Sequence, residues 1–304
     1  MTLNSTATAG IRDPEPETTG ESAQTVLLIC VKYGSDTETA QYLESLRKLQ
    51  AQRNLQVLVV DNTVGNEFSE PPTERNFTLV RAKENLGYFG GARGGLSLYL
   101  REHALPDWVV VSNVDLVIAD SQFLNKLAAL GSRLDLGAVA PSIRSGLTGK
   151  DQNPYLRVRP SAAQMHAYKW LFRSRFVLNT YELAAAAFHW ARGISGKWRA
   201  SAHGLRRRLP ESIYAPHGSF LILSKNYFAR GGDLEFPGFL FGEEIYIAER
   251  MRKLGLEVVY DPSLEVLHDE HKSTKLYKSR QMAAHAAFAA AYCADVFFPI
   301  DSRT

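Results

Sequence analysis

Residues 108–115 read WVVVSNVD, an apolar run of strand length that ends in side chains carrying polar oxygens. Similar runs, TVLLICV at 25–31 and QVLVV at 56–60, precede segments with apolar residues at helical spacing. Strands that are apolar throughout and alternate with helices are typical of a mostly parallel sheet covered by helices on both faces. Ligands bind such sheets outside the carboxyl ends of the strands. We therefore predict an α/β protein whose site lies where these runs end.

The same pattern extends along the rest of the chain. It predicts further strands at 77–80, 137–141, 219–223 and 257–260, and helices at 37–52, 91–100, 122–130 and 243–254. The alanine-rich tail at 276–297 is expected to be helical. Residues 1–24 are rich in Ser, Thr, Pro and Glu. We expect them to form a disordered arm, because they bury too little apolar surface to offset their ordering entropy.

The composition of the 304-residue chain, with 45% hydrophobic and 22% charged residues, is that of an ordinary globular protein. Cys30 and Cys293 are too few for a disulfide framework, which favours a reducing, cytoplasmic compartment. No stretch reaches the roughly 18 apolar residues that a membrane-spanning helix needs. The first residues also lack the apolar core of a secretory signal, so we expect none.

Charge is distributed unevenly. Residues 156–210 hold 11 Lys and Arg against one acidic residue, whereas the rest of the chain holds 24 basic and 31 acidic residues. Basic and aromatic residues alternate in this segment, as at Lys169-Trp170. That combination favours a helix on the anionic inner face of the cell membrane, and a solvated face whose aromatics pack inward is the alternative. Nothing else in the sequence supports nucleic-acid binding.

Two motifs suit a nucleotide. Asp61 offers a carboxylate to a base imide or a ribose hydroxyl, although Asp61-Asn62 also suits a simple turn. Residues 85–95, NLGYFGGARGG, hold five glycines that let a backbone approach a diphosphate at the start of a helix, with Arg93 to neutralise a phosphate oxygen. Close packing of the glycines is the alternative. The spacing differs from that of dinucleotide-binding loops, which argues against a nicotinamide enzyme.

Two further motifs suit a metal and acid–base chemistry. Asn113 and Asp115 place oxygen ligands at alternate positions, as suits a hard divalent cation on substrate phosphates, and a helix cap or turn is the alternative. Glu243 and Glu244 open a predicted helix, where the dipole favours acids whatever their function, but they also suit a general base. His268 is either a structural histidine or, beside a metal carboxylate, a ligand.

Taken in order, these motifs resemble those of the family-two inverting glycosyltransferases of the GT-A fold, especially the rhamnosyltransferase-like members. The matching residues are Asp61-Asn62, Asn85-x-Gly87, Ala92-Arg93, Asn113-x-Asp115, Gly218-Ser219-Phe220, Gly242-Glu243-Glu244 and His268. The resemblance implies a Rossmann-like GT-A domain, a mostly parallel central sheet flanked by helices, over residues 25–275. Residues 151–212 would be a basic helical insertion on the acceptor and membrane side, and 276–304 a C-terminal helix and tail.

The resemblance also implies a reaction. A sugar, with rhamnose favoured, would move from a dTDP- or UDP-sugar to a glycan or lipid-linked glycan acceptor. Glu244 would take the proton from the acceptor hydroxyl, and Asp115 with His268 would hold Mg²⁺ or Mn²⁺. The implied donor-binding residues are Tyr33, Asp61, Asn85, Gly87, Arg93, Asn113 and Lys272, and the implied acceptor-binding residues are Gly218, Ser219 and Glu243.

Three positions depart from the family pattern. Glu244 stands where aspartate is usual, Tyr246 where a second acid is common, and Gly94 where the turn has asparagine. These differences leave open a non-catalytic, glycosyltransferase-like module that binds a glycan or lipid. A sugar nucleotidyltransferase is the other alternative, but such enzymes typically carry the glycine-rich loop after the first strand, and here it follows the third.

Overall fold

The computed structural model describes residues 24–34, 36–49, 54–65, 74–131, 133–173, 209–269 and 280–300. The expected N-terminal arm up to residue 23, the basic residues at 174–208 and Lys272 lie outside the described residues. The strands are β1 (Thr25–Lys32), β2 (Asn54–Asp61), β3 (Phe77–Arg81), β4 (Trp108–Ser112), β5 (Leu116–Val117), β6 (Leu136–Ser145), β7 (Glu211–Ile213), β8 (Phe220–Ser224) and β9 (Glu257–His268). The helices are α1 (Asp36–Leu49), α2 (Gly87–Tyr99), α3 (Phe123–Ala129), α4 (Ala162–Arg173), α5 (Lys225–Ala229), α6 (Glu243–Lys253) and α7 (Arg280–Phe297).

The described strands form one sheet in the order β3-β2-β1-β4-β8-β6-β9-β5, with β7 paired to β9. Strands β1 to β4 are parallel to one another, β8 runs antiparallel to both of its neighbours, and β6 and β9 return to the first direction. The short strands β5 and β7 are antiparallel to β9. Most strands in the described part therefore run the same way, which confirms the predicted mostly parallel α/β sheet flanked by helices.

Alternate residues of β1 fill opposite cores, as the two-residue period of a strand requires. Leu27 and Ile29 pack in the core that contains residues of α2, α6 and α7. Leu28 and Cys30 pack in the core that contains residues of α1 and α3. Because helices cover both faces of the strand, its sequence is apolar throughout.

The glycine-rich segment differs from its prediction. Helix α2 begins at Gly87 rather than at 91, so the glycines belong to the helix and not to a loop before it. A Cβ atom at Gly91 would lie 3.0 Å from Nδ2 of Asn62, and one at Gly95 would lie 2.9 Å from methyl groups of Leu58 and Val60. These two glycines therefore allow α2 to lie close against the sheet. Close packing was the alternative to a diphosphate-binding loop.

The C-terminal helix α7 packs on the domain, and residues 276–279 of the expected helix lie outside the described residues. Its residues Ala289, Cys293 and Phe297 are buried in the core shared with α2 and α6. Lys169 of α4 reaches it with Nζ 2.6 Å from a carboxylate oxygen of Asp295. The helix in the basic insertion and the C-terminal helix therefore form one surface layer. Among the described helices, none is both long enough and apolar enough to cross a membrane.

Candidate active site

Strands β1 and β2 end side by side, with Lys32 opposite Asp61 in the register. Both side chains are buried, and Lys32 Nζ lies 3.2 and 3.3 Å from the two carboxylate oxygens of Asp61. Lys32 Nζ also lies 3.1 Å from an oxygen of Asp36, and the backbone N–H of Thr63 donates to Asp61 at 2.9 Å. The carboxylate predicted to bind the donor is thus held in place by a buried lysine.

An exposed aromatic ring follows directly. Tyr33 comes after Lys32 at the end of β1, and 68% of its surface is exposed. An exposed ring beside a carboxylate offers a stacking face and a hydrogen-bond acceptor, which are the two features that recognise a nucleoside. The structure therefore brings Tyr33 and Asp61 to the same edge of the sheet.

Two asparagines hold the start of α2 in place through hydrogen bonds, and one of them, Asn85, was predicted to bind the donor. Asn85 Oδ1 accepts the backbone N–H of Gly87 at 3.0 Å, and Nδ2 of Asn62 donates to the Gly87 carbonyl at 2.8 Å. Gly87 has φ of +73°, and a Cβ atom there would lie 2.3 Å from the carbonyl oxygen of Phe239. Arg93 lies further along the helix, 57% exposed and 3.9 Å from Glu235. The structure thus gathers Asn85 and Gly87 but keeps Arg93 on the surface.

Asp115 and His268 meet because β5 pairs with β9 and places Leu116 opposite His268. His268 Nε2 lies 3.3 Å from Oδ2 of Asp115. His268 Nδ1 lies 2.7 Å from the side-chain oxygen of Gln152, a contact that orients the ring. Nε2 and the carboxylate of Asp115 therefore face each other, an arrangement that suits a cation between them.

The donor set of this pair fits a divalent cation. In the described part of the chain, Oδ1 of Asp115 is buried without a hydrogen-bond partner. A histidine oriented through its other nitrogen, beside a carboxylate, is a common ligand arrangement. No third His, Cys, Asp or Glu joins the pair among the described residues. Substrate phosphates complete the shell of a hard cation in sites of this type.

The loop before β8 joins the metal motif to the acidic helix. The backbone N–H of Asn113 donates to the Ser219 carbonyl at 2.9 Å. The N–H of Gly218 donates to Oε1 of Glu244 at 3.3 Å, and the hydroxyl of Tyr88 donates to the Gly218 carbonyl at 2.8 Å. One short loop therefore contacts Asn113, helix α2 and the carboxylate of Glu244.

Glu243 and Glu244 form a pair of carboxyls with weakened acidity at the start of α6. Glu243 is 5% exposed and Glu244 is partly exposed. Burial raises the pKa of both carboxyls, and the neighbouring charge of Glu244 raises the pKa of Glu243 further. A raised pKa makes a carboxylate a better proton acceptor, as general-base catalysis requires.

Tyr246, where a second acid is common, faces away from this cluster. It is 4% exposed, its ring packs on Phe89 and Phe236, and its hydroxyl donates to Asp233. Residues two apart on a helix do not share a face, so Tyr246 points into the core and away from the side that carries Glu244. The departure at this position therefore leaves the site itself unchanged.

Three residues of the cluster were not predicted from the sequence: Lys32, Gln152 and His217. His217 accepts the N–H of Ser219 at its Nδ1 at 3.2 Å, and its ring lies 6.3 Å from the ring of His268 and 6.2 Å from that of Tyr155. Lys32 directly follows the apolar run at 25–31 and was given no role. Its signal was a lysine one residue past a buried run, at the same edge as Asp61.

Comparisons with known proteins agree with the resemblance that the motifs suggested. No protein-family model matches the sequence. N-acetylglucosaminyl-diphospho-decaprenol L-rhamnosyltransferases from two strains of Mycobacterium tuberculosis are 28% identical to the chain over 271 residues, which are 85% of this chain and 80% of theirs. The motif-based resemblance to rhamnosyltransferase-like glycosyltransferases is thereby confirmed.

Solved structures agree on the architecture. GalNAc-T7 with UDP, GalNAc and Mn²⁺ superposes with a TM-score of 0.53 at 13% identity, over 82% of this chain, which spans 44% of that one. The mannosyltransferase PcManGT of Pyrobaculum calidifontis, with GDP-Man and Mn²⁺, superposes with a TM-score of 0.51 at 16% identity, over 90% of this chain and 70% of that one. The chain has the GT-A glycosyltransferase fold. In this GT-A domain the predicted residues Asp61, Asn113, Asp115, Glu244 and His268 lie at or beside the carboxyl edge of the sheet.

Proposed function

We propose that the chain is an inverting glycosyltransferase that moves a sugar, rhamnose, from a nucleoside-diphosphate donor to a hydroxyl of a lipid-linked glycan acceptor. The observation that carries the proposal is the loop of Gly218 and Ser219. It contacts Glu244 on one side and Asn113, two residues before Asp115, on the other. One loop would hold both the proton acceptor and the diphosphate site. This suits a reaction in which the acceptor hydroxyl attacks and the nucleoside diphosphate departs in one step.

The donor would lie along the edge of the sheet. Tyr33 would stack on the base, and Asp61 would accept a hydrogen bond from the base imide or the ribose. The positive end of the α2 dipole suits the diphosphate, because it attracts anions. Arg93 and Lys272 would be further phosphate contacts. Lys272 lies outside the described residues.

Asp115 and His268 would hold Mg²⁺ or Mn²⁺, with Asn113 beside them. The buried, unpartnered Oδ1 of Asp115 and the orientation of His268 by Gln152 support that assignment. When bound, such an ion stabilises the charge that develops on the departing nucleoside diphosphate.

Glu244 would do the proton chemistry. The acceptor oxygen forms a bond to the anomeric carbon while the bond from that carbon to the diphosphate breaks, and the hydroxyl proton passes to the carboxylate of Glu244. Attack from the face opposite the leaving group inverts the anomeric centre. Gly218, Ser219 and Glu243 would line the acceptor side.

The acceptor would reach the site from the side of α4. This helix exposes Tyr168 and Trp170 beside Lys169 and Arg173, a mixture that suits the interface of an anionic membrane. The name of the mycobacterial relatives supports a rhamnose donor and a lipid-diphosphate acceptor. We therefore propose peripheral attachment to the cytoplasmic face of the membrane through the segment 156–210.

Thermal stability with dTDP, UDP or GDP, each with and without Mn²⁺, tests the donor site. A ligand at about 100 times its dissociation constant should stabilise the fold by about 2.7 kcal/mol. We expect a Mn²⁺-dependent shift, largest with dTDP, that is lost in Asp115→Ala. No shift with any diphosphate would contradict the proposal and favour the binding module, and a metal-dependent shift without sugar transfer would favour a nucleotidyltransferase.

A further inference from the structure

A cavity of about 360 Å³ opens beside Glu244, between α4, α6 and α7. Tyr155 lines the same cavity, and 46% of its surface is exposed. In the described part of the lining, Glu244 is the sole charged side chain, and aromatic and aliphatic side chains make up most of the remainder. The cavity therefore places an exposed aromatic ring and an apolar wall beside the proposed base.

The segment that carries Tyr155 is fixed on both sides of that residue. The backbones of Leu156 and Ala215 exchange two hydrogen bonds, of 3.2 and 2.9 Å. Oδ1 of Asn153 accepts the backbone N–H of His217 at 2.7 Å. The loop before β8 therefore anchors this segment to the sheet.

The same loop links Tyr155 to the proposed base. The rings of His217 and Tyr155 pack edge to face, with their centroids 6.2 Å apart. The next residue, Gly218, donates its N–H to Oε1 of Glu244 at 3.3 Å. Two neighbouring residues of one loop thus contact the aromatic ring and the carboxylate. The ring and the carboxylate therefore keep a fixed relation to each other, as a preorganised site requires.

The geometry of the proposed reaction decides which part of an acceptor lies at this cavity. Attack with inversion places the acceptor oxygen and the departing diphosphate on opposite sides of the anomeric carbon. In the proposed function the diphosphate lies at Asp115 and His268, so the acceptor lies on the side of Glu244. The group directly attached to the reacting hydroxyl is a sugar ring. That ring is therefore the part of the acceptor that lies beside Glu244 and the cavity.

A sugar ring matches the wall and the size of the cavity. A pyranose has faces that carry C–H groups, and these leave water when they stack on a flat aromatic ring. A tyrosine adds a hydroxyl that hydrogen-bonds at the edge of such a contact. At about 30 Å³ for each non-hydrogen atom, the share of one water molecule, a hexose of about twelve such atoms fits in the cavity. A neutral sugar needs no basic side chain, and the described lining contains none.

We propose that Tyr155 is the stacking platform for the acceptor sugar and holds that sugar with its reacting hydroxyl toward Glu244. The inference rests on the proposed function, because it takes Glu244 as the base that receives the acceptor proton. A flat ring fixes the plane of the sugar that lies on it. A fixed plane keeps one edge of the sugar at the carboxylate, which is the orientation that the transfer step needs.

Saturation-transfer NMR with small glycosides tests the platform without requiring sugar transfer. The probes are methyl glycosides of common hexoses, which carry neither lipid nor phosphate, added to the protein with and without dTDP and Mg²⁺. At least one glycoside should receive saturation on its ring C–H protons. The signal should be lost in Tyr155→Leu, which keeps an apolar side chain but removes the flat ring, and should be retained in Tyr155→Phe. Saturation of no glycoside, or equal saturation in Tyr155→Leu, would overturn the inference.

Transfer kinetics give an independent test. Tyr155→Leu should raise the acceptor KM by about tenfold, the loss expected for one stacking contact, with the donor KM unchanged. Tyr155→Phe should stay close to the wild type. Phe288→Leu is the matched control, because Phe288 is an exposed ring of α7 outside the described lining of the cavity. An equal rise in donor and acceptor KM in Tyr155→Leu, or the same rise in Phe288→Leu, would overturn the inference.

The two experiments separate failure of the platform from failure of the proposed function. If the wild type binds a glycoside through Tyr155 but transfers sugar to no acceptor, the sugar platform stands and the proposed function has failed. If the wild type transfers sugar and Tyr155→Leu keeps the wild-type acceptor KM, the proposed function stands and the platform assignment is wrong.

Discussion

Glu244 Oε1 lies 3.3 Å from the backbone nitrogen of Gly218, and a Cβ atom at position 218 would lie 2.7 Å from that same oxygen. The carboxylate can rest against the loop before β8 only because residue 218 has no side chain. Since Ser219 in the same loop accepts the N–H of Asn113, this contact sets the distance between the proposed base and the metal motif.

Gly218→Ala should therefore displace the base without removing it. We expect kcat to fall by about a hundredfold, since a shift of about 1 Å has that effect in a preorganised site. The thermal shift that dTDP and Mn²⁺ produce should remain, because the donor residues are untouched. Gly94→Ala, at an exposed position where the nearest atom to a new Cβ is 3.8 Å away, is the control. An unchanged kcat in Gly218→Ala would contradict the assignment of Glu244.

The pH profile should carry the signature of a buried base. Burial raises the pKa of Glu244, and only the deprotonated carboxylate accepts a proton, so kcat/KM should be lost as the pH falls through that raised pKa. The acid limb should lie above the ordinary glutamate value of about 4.3. A profile that stays flat down to the ordinary glutamate range would contradict this prediction.

The buried pair of Lys32 and Asp61 should matter for stability as well as for donor binding. Lys32→Met leaves the carboxylate of Asp61 buried without its main partner, which should cost about 3–5 kcal/mol in the free energy of unfolding. Replacing both residues, as in Lys32→Met with Asp61→Leu, should recover most of that loss but should abolish nucleotide binding. Denaturant unfolding measures the first effect. A loss below about 1 kcal/mol would indicate a pair that behaves as if exposed.

Neighbouring glycines of α2 should respond in opposite directions. Gly94 is exposed, so Gly94→Ala should stabilise the helix by up to about 1 kcal/mol. A Cβ at Gly95 would lie 2.9 Å from methyl groups of Leu58 and Val60, so Gly95→Ala should destabilise the protein by about 1–3 kcal/mol. Thermal unfolding of the two variants checks the pair. Equal effects would show that α2 does not need its close approach to the sheet.

Strands β1 and β4 were predictable because they are buried on both faces, whereas the short strands β5 and β7 were not predicted. TVLLICV and WVVVS are apolar throughout, and the structure places them at β1 and β4 with boundaries within about one residue. The start of α2 was harder to predict, since five glycines suggest a loop. Its helical form depends on tertiary contacts with Phe239 and Asn62 that no local pattern reveals.

The site was predictable to the extent that its residues end strands or begin helices. Asp61 and Asp115 follow apolar runs, and Glu244 opens a helix, so their place at one edge follows from topology. The partners that orient them come from distant segments. Lys32 reaches the cluster through the sheet register, Gln152 from the segment after β6 and His217 from the loop before β8, and their contacts could be seen only in the folded chain.

The rate of sugar transfer by the wild type and by Glu244→Gln tests most directly whether the chain transfers a sugar with Glu244 as the base. With dTDP-rhamnose, Mn²⁺ and a lipid-linked acceptor, the wild type should transfer the sugar, and Glu244→Gln should lose about 10²–10⁴-fold in kcat. The thermal shift with dTDP and Mn²⁺ should be retained in the variant, which shows that the loss is one of chemistry and not of donor binding. Transfer at the wild-type rate by Glu244→Gln would contradict the assigned base, and no transfer by the wild type with any donor would contradict the enzyme itself.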